Sequence, residues 1–155
     1  MAENLAESLQ VRLSVVVPAF NEEDGVVGTL QSLRSELPMA EVIFVDDGSL
    51  DLTAERAATV HGVTVIRHVF NRGYGAAIKT GVLAGARDYV AWFDADNEHR
   101  VEDLAAMVAK LDEGRLAAVD GDLVGAGSPR SQHRAPHRHV PRRHHAQAVR
   151  KRPCG

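Results

Sequence analysis

The sequence predicts an α/β fold with a mainly parallel β-sheet that is flanked by helices. Short apolar runs alternate along the chain with segments of helical periodicity, in the order β-α-β-α-β-α-β-α. The apolar runs are continuous rather than alternating with polar residues, which is typical of strands buried on both faces. Polar clusters directly follow several of these runs. In such sheets ligands bind beyond the carboxyl ends of the strands, so a site is expected there.

The first part of the chain contains two predicted strands joined by a helix. Residues 13–17 are rich in β-branched residues, and this strand is expected to end at Pro18, because proline cannot donate to a central ladder. Apolar residues then recur at helical spacing over residues 26–37, and a proline closes that segment. Residues 42–45 form the second predicted strand.

The middle of the chain repeats this alternation. A weakly periodic helix is predicted over residues 52–60, with Ser49 or Asp51 as its cap. Residues 63–66 form the third predicted strand, and apolar residues over 78–86 mark one face of the next helix. A glycine-rich loop separates the two elements.

The fourth predicted strand, residues 89–94, leads into two carboxylates separated by one small residue. Side chains alternate along a strand, so Asp94 and Asp96 are expected to point the same way and to repel each other unless a cation lies between them. Oxygen ligands suit Mg²⁺ or Mn²⁺. A helix-capping aspartate beside a solvated one is the alternative. An amphipathic helix over 101–111 and a poorly defined strand over 117–124 follow.

Charge is distributed unevenly along the chain. The net charge is −3, yet residues 128–155 carry eight Lys/Arg, five histidines and no Asp/Glu. We therefore predict three parts: an N-terminal extension over residues 1–10, a domain over 11–125, and a disordered basic tail over 126–155. Binding of nucleic acid by the tail, or of Zn²⁺ or Ni²⁺ by its histidines, is the less favoured alternative.

Cellular location is inferred from what the sequence lacks. The only cysteine, Cys154, excludes an intrachain disulfide, which fits a reducing compartment. No apolar run reaches the roughly 20 residues that span a bilayer, and residues 1–10 do not resemble a secretory signal. We expect a cytoplasmic protein without a transmembrane segment, with peripheral membrane association left open.

Four segments carry a family resemblance. They are residues 15–23, residues 45–49 with Asp51 and Thr53, residues 71–77, and residues 94–96. In this order, each at an element boundary, they resemble the nucleotide-sugar-binding half of an inverting family 2 glycosyltransferase of the GT-A fold. The most similar branch is the polyprenyl-phosphate transferases, such as dolichyl-phosphate mannosyltransferase. The resemblance covers about residues 13–111, so the chain resembles a C-terminally truncated member.

The resemblance implies roles for the residues of the first two polar clusters. Pro18, Phe20 and Glu22 would line the nucleotide pocket, where an aromatic ring packs on a base and a carboxylate accepts hydrogen bonds. Asp46 and Asp47 would contact the base and the ribose. The structural alternatives are a helix-capping loop for the first cluster and an Asp-Gly turn for the second.

The resemblance also implies where the diphosphate and the metal bind. The motif Asp94-Ala95-Asp96 would bind the donor, and Asp94, Asp96 and Glu98 would hold Mg²⁺ or Mn²⁺. Arg72 or Lys79 would reach the diphosphate, with solvated charges as the alternative. The loop around Arg72 also invites a dinucleotide-binding interpretation, but it follows the third strand rather than the first, and its third glycine is missing.

The implied function is transfer of a hexose from a UDP- or GDP-sugar to an acceptor, with anomeric inversion. A polyprenyl phosphate at a membrane surface is the acceptor that the resemblance suggests. A catalytically inactive nucleotide-binding fragment is the alternative, because the acceptor-side half and its general base have no counterpart in this sequence. The abrupt change of composition favours out-of-frame translation of the last 30 or so residues, with a native tail as the alternative.

Overall fold

The computed structural model describes residues 7–93, 101–112, 118–120 and 147–150. Its six strands form one sheet in the order β3-β2-β1-β4-β6-β5, in which β1 to β4 are parallel and β6 is antiparallel to both of its neighbours. This confirms the predicted α/β class with a mainly parallel sheet. The strands are β1 (Leu13–Ala19), β2 (Glu41–Asp46), β3 (Val63–Arg67), β4 (Tyr89–Trp92), β5 (Ala118–Asp120) and β6 (Gln147–Arg150). The helices are α1 (Val26–Glu36), α2 (Thr53–Ala57), α3 (Tyr74–Ala84) and α4 (Val101–Asp112).

Both faces of the sheet are covered, and successive residues of one strand enter different cores. Val15 and Val17 belong to the larger core, together with residues of α1 and α4. Val16, between them, belongs to a second core that includes Ala77 of α3. Burial on both faces explains why the strands read as continuous apolar runs, as predicted.

Helix α3 lies very close to β1. A Cβ atom at Gly81 would lie 2.2 Å from Cγ1 of Val16, and one at Gly85 would lie 3.0 Å from Oγ of Ser14. The absence of side chains at these two positions therefore sets the distance between the helix and the sheet.

The prediction that the first strand ends at Pro18 is wrong, because β1 continues to Ala19. In a parallel sheet, the backbone N–H and C=O groups of successive residues in a strand point alternately toward its two neighbouring strands. The Val16 carbonyl accepts from Phe93 N–H on the β4 side, whereas the Ala19 carbonyl accepts from Asp47 N–H on the β2 side. Pro18 therefore faces the β4 side, beyond the last described β4 pair at Val16 and Trp92, and not β2, whose ladder continues to Asp46.

Part of the predicted tail is ordered as β6. Its four residues pair with β4 and β5, and Ala148 is fully buried opposite Ala91. A short strand needs only one or two apolar side chains on its covered face, so the polar composition of the tail does not exclude it. Disorder was the wrong prediction for Gln147–Arg150, while the predicted division at residue 125 stays a prediction.

Three further elements differ in length from their predicted bounds. Helix α2 has only five residues, and α3 begins at Tyr74, earlier than its apolar face suggested. The last predicted strand is seen only at Ala118–Asp120 within the described residues. In the part of the chain that the structure describes, no helix has the length and apolar character needed to cross a bilayer.

Candidate functional site

Three loops meet at the carboxyl edge of the sheet. We call residues 20–25, which follow β1, the first loop; residues 47–52, which follow β2, the second loop; and residues 68–73, which follow β3, the third loop. Because the strands are parallel and adjacent, all three loops leave the sheet at the same edge. Most of the predicted site residues that the structure describes lie on these loops or at the ends of β1 and β2.

The first and second loops are joined by reciprocal hydrogen bonds. Asn21 N–H donates to Ser49 Oγ at 2.9 Å, and Leu50 N–H donates to Asn21 Oδ1 at 2.9 Å. Glu22 N–H donates to Thr53 Oγ1 at 2.8 Å. Asn21 has a φ of 54°, a left-handed conformation that asparagine tolerates better than most residues. The sequence Asn-Glu after β1 is therefore explained in part by the local backbone.

Asp51 and Glu23 extend this connection. Asp51 Oδ2 accepts from Glu23 N–H at 3.3 Å, and Leu52 N–H donates to Glu23 Oε2 at 3.0 Å. Asp51 Oδ1 also accepts from Thr53 N–H at 3.0 Å and from the Thr53 hydroxyl. The N-cap position of α2 is Leu52 rather than either predicted residue, although Asp51 accepts from the first-turn N–H of Thr53; Ser49 bonds to Asp46 instead.

The pKa of Asp51 reflects these bonds. Burial raises the pKa, but the hydrogen bonds from Thr53 and from Glu23 N–H lower it more, so the pKa lies below its ordinary value. Asp51 is therefore ionised at neutral pH and holds the start of α2 against the first loop.

Gly48 lets the second and third loops touch. Its φ is 76°, and a Cβ atom there would lie 2.5 Å from the backbone carbonyl carbon of Phe70. A side chain is excluded both by the backbone conformation and by the space. The Asp-Gly pair thus has a packing role in addition to any role in binding.

Asp46 is fully buried at the end of β2 and is only partly satisfied. Its Oδ1 accepts from Ser49 N–H at 3.2 Å and from the Ser49 hydroxyl. Among the described residues, Oδ2 has no hydrogen-bond partner. Arg67 Nε lies 3.2 Å from Oδ2, close enough for an ion pair but without hydrogen-bond geometry. Since Arg67 is half-exposed and also pairs with Glu55, Oδ2 retains capacity for a further donor.

Asp47, in contrast, has partners for both oxygens. Oδ1 accepts from Arg72 N–H at 2.9 Å and lies 2.7 Å from His68 Nδ1, while Oδ2 accepts from Gly73 N–H at 2.8 Å. Burial raises the pKa of Asp47, but the hydrogen bonds from Arg72, His68 and Gly73 outweigh it and lower the pKa. A ligand contact by Asp47 would have to share or replace these bonds.

His68 was not singled out by the sequence reasoning. It is buried, its backbone N–H donates to the Asp46 carbonyl at 2.8 Å, and its ring bridges Asp47 and Thr80. The register between β2 and β3 is the signal that identifies His68 as a neighbour of Asp47. Asp46 pairs with Arg67 at the ends of β2 and β3, so the residues that directly follow the two strands, Asp47 and His68, lie level with each other.

The other predicted residues differ in accessibility. Pro18 is buried within β1, so it underlies the edge rather than projecting from it. Phe20 is 40% exposed, as a residue whose ring packs on a ligand must be. Glu22, Arg72 and Lys79 are also exposed. The roles implied for these residues stay predictions.

The predicted metal ligands follow β4 in the sequence. Asp94, Ala95, Asp96 and Glu98 lie outside the described residues. The last described residue before them is Phe93, whose N–H donates to the Val16 carbonyl of β1 at 2.9 Å. Over residues 7–93, 101–112, 118–120 and 147–150, no group of three or more His, Cys, Asp or Glu side chains is placed to hold a metal ion.

The sequence matches the profile of Glycosyl transferase family 2 over residues 14–154. It is 30% identical over 154 residues to a dolichyl-phosphate beta-glucosyltransferase of Dictyostelium discoideum, covering 83% of this chain and 47% of that one. It is 36% identical over 112 residues to an undecaprenyl-phosphate 4-deoxy-4-formamido-L-arabinose transferase of Proteus mirabilis, covering 66% and 34%. A mannosyltransferase of Pyrobaculum calidifontis, solved with GDP-Man and Mn²⁺, has the same fold with a TM-score of 0.61 and 26% identity, covering 69% of this chain and 34% of that one.

The chain spans less than half the length of these relatives. The profile match includes most of the segment that composition assigns to the tail. The match of the sheet and its helices to the mannosyltransferase confirms the predicted GT-A type of fold.

Proposed function

Because the chain belongs to glycosyl transferase family 2, we propose that it binds the nucleotide and diphosphate of a sugar donor at the carboxyl edge of its sheet. The parent activity is transfer of a hexose from a UDP- or GDP-sugar, with inversion at the anomeric carbon. The observation that carries this proposal is the meeting of three loops at one edge, where Asp46 Oδ2 lies 3.2 Å from Arg67 Nε but has no hydrogen-bond donor among the described residues.

The nucleotide side of the proposed site is supported by two described residues. The exposed Phe20 ring offers a flat apolar surface for a base. Asp46 offers a carboxylate oxygen that lacks a hydrogen-bond donor among the described residues, and a base or ribose carries N–H or O–H donors that fit it. Asp46 has no exposed surface, so access requires the half-exposed Arg67 side chain to move.

The diphosphate side of the proposed site depends on the chemistry of the carboxylates that follow β4. Asp94 and Asp96 supply hard carboxylate oxygens, with Glu98 as a third candidate, and such ligands fit Mn²⁺ or Mg²⁺. The solved mannosyltransferase holds Mn²⁺ together with GDP-Man. The cation would neutralise the charge that develops on the departing nucleoside diphosphate.

The proposed acceptor is a polyprenyl phosphate presented at a membrane surface. Two relatives are named for dolichyl-phosphate and undecaprenyl-phosphate substrates. The proposed location is therefore peripheral to a membrane on the cytoplasmic side.

Calorimetric titration of the purified chain with GDP and UDP, with and without Mn²⁺, tests donor binding. We expect Mn²⁺-dependent binding of at least one of them, and Asp96→Ala should abolish the metal-dependent part. Asp88→Asn is the control, since Asp88 is an exposed carboxylate paired with Arg12 at the amino end of β4. Failure of both nucleotides to bind, or NAD binding in their place, would contradict the proposal.

A transfer assay separates the parent activity from nucleotide binding alone. The chain is incubated with GDP-mannose or UDP-glucose, Mn²⁺ and a panel of lipid phosphates, and glycolipid formation is measured. Product formation supports transfer by this chain. Nucleotide binding without product supports the alternative, a nucleotide-binding fragment without catalytic activity.

A further inference from the structure

His68 joins the sheet to helix α3 through both nitrogens of a buried ring. Its Nδ1 lies 2.7 Å from Asp47 Oδ1, and its Nε2 lies 2.8 Å from Thr80 Oγ1. Asp47 directly follows β2, whereas Thr80 lies within α3. His68 is only 7% exposed, so these bonds form away from bulk water.

The direction of the hydrogen bonds follows from the chemistry of the partners. An ionised carboxylate can only accept, so His68 Nδ1 carries a proton and donates to Asp47. In the neutral ring Nε2 is then an acceptor, and the Thr80 hydroxyl donates to it. The carboxylate that receives the ring proton also receives the backbone N–H groups of Arg72 and Gly73. One buried histidine thus orients the carboxylate that holds the third loop.

Building on the function proposed above, we propose that His68 is a positioning residue for donor binding. It fixes the Asp47 carboxylate, and Asp47 fixes the backbone of Arg72 and Gly73 at the amino end of α3. This places the third loop beside Gly48 and the second loop, where the donor is proposed to bind. His68 itself contacts no part of the donor in this proposal.

Three substitutions separate the hydrogen bonds from the volume of the ring. His68→Leu fills similar space without a polar atom. His68→Asn places an amide N–H near the position of Nδ1, so it can still donate to Asp47. Thr80→Val is nearly isosteric and removes only the partner of Nε2.

Ser14→Ala is the matched control for loss of a buried polar contact. Ser14 is fully buried, donates to Glu41 Oε2 at 2.5 Å and accepts from Arg87 N–H at 3.2 Å. It lies near the start of β1, at the opposite edge of the sheet from the three loops. Its loss should lower the melting temperature without changing nucleotide affinity.

Two measurements test the proposal on the full chain: exchange rates of the Arg72 and Gly73 amide hydrogens, and the Kd for GDP with Mn²⁺. His68→Leu should speed exchange of both amides and weaken GDP binding by about tenfold or more, the size expected for losing a hydrogen bond to a charged group. His68→Asn should restore most of the affinity, and Thr80→Val should fall between the two. If His68→Leu does not fold, the other two variants carry the test.

Two outcomes would overturn the proposal. One is unchanged protection of the two amides in His68→Leu, or in Thr80→Val if the leucine variant does not fold. The other is GDP affinity that follows melting temperature alone, so that Ser14→Ala loses as much affinity as the His68 variants. If the unaltered chain binds neither GDP nor UDP, the proposed function fails, and amide exchange still decides whether His68 positions the loop.

Discussion

Replacing Asp47 with asparagine should be strongly destabilising although the two side chains have the same shape. Asp47 is 3% exposed, and its carboxylate accepts hydrogen bonds from three donors: His68, Arg72 N–H and Gly73 N–H. An asparagine has only one oxygen. If that oxygen keeps the bonds of Oδ1, the new NH₂ group faces Gly73 N–H, and two donors then confront each other at about the 2.8 Å now spanned by a hydrogen bond.

The expected loss follows from this geometry. A hydrogen bond to a charged group contributes about 1.5–3 kcal/mol, and a buried donor left without an acceptor costs about 1–3 kcal/mol. We therefore expect Asp47→Asn to lower the free energy of unfolding by about 3–5 kcal/mol, a large part of the roughly 5–15 kcal/mol of a typical domain.

Urea denaturation monitored by circular dichroism measures this change. Asp88→Asn is the control: Asp88 forms a 2.9 Å ion pair with Arg12, but its side chain is 62% exposed. Exposed pairs of this kind contribute at most about 1 kcal/mol. A loss below about 1 kcal/mol for Asp47→Asn would show that the carboxylate does not hold the third loop.

Three further predictions concern packing, pH and metal. Gly81→Ala should destabilise the chain by about 1–3 kcal/mol, because the new methyl group would overpack against Val16. Gly28→Ala in α1 has open space at the Cβ position among the described residues and should stabilise the chain by about 0.5–1 kcal/mol. Equal effects of the two substitutions in thermal denaturation would contradict the close contact between Gly81 and Val16. Because the pKa of Asp51 is lowered in the folded chain, its contribution to stability is complete above the ordinary value of 3.8 and is lost as the pH falls through the lower folded value. Asp51→Asn should therefore reduce the fall in the free energy of unfolding at acid pH. An unchanged fall, measured by urea denaturation at several pH values, would refute this. Chelation of Mn²⁺ by EDTA should remove the metal-dependent part of GDP binding in calorimetry, and binding that is unaffected by EDTA would argue against the carboxylate site after β4.

The order of strands and helices was predictable because local signals determine it. Continuous apolar runs marked the strands, and helical spacing marked α1 and α4. Pro18 was misjudged because its effect depends on which neighbour the residue faces. That side is set by pairing between strands and cannot be read from the run itself. β6 was missed for the same reason, since the burial of Ala148 depends on the pairing of this segment with β4, which the local sequence does not indicate.

The candidate site shows a similar limit. Asp46 and Asp47 are chemically identical and adjacent, so their different roles could not be predicted from the sequence. In the fold, one has an oxygen without a hydrogen bond among the described residues and the other accepts from three groups. The partners of Asp47 lie 21 to 26 positions further along the chain, so only the strand register identifies them. The position of Phe20 at the edge, in contrast, followed from sequence order alone.

The bonds between the first and second loops have a consequence for protein engineering. The side chains of Asn21 and Glu23 accept hydrogen bonds from the backbone N–H groups of Leu50 and Leu52, respectively. These bonds depend on which residues occupy the first loop. The two segments therefore behave as one cassette although they are separate in sequence. A chimera that takes residues 20–25 from a relative with a different base preference also needs residues 47–53 from that same relative. Combining the two segments from different proteins would leave backbone amides without acceptors.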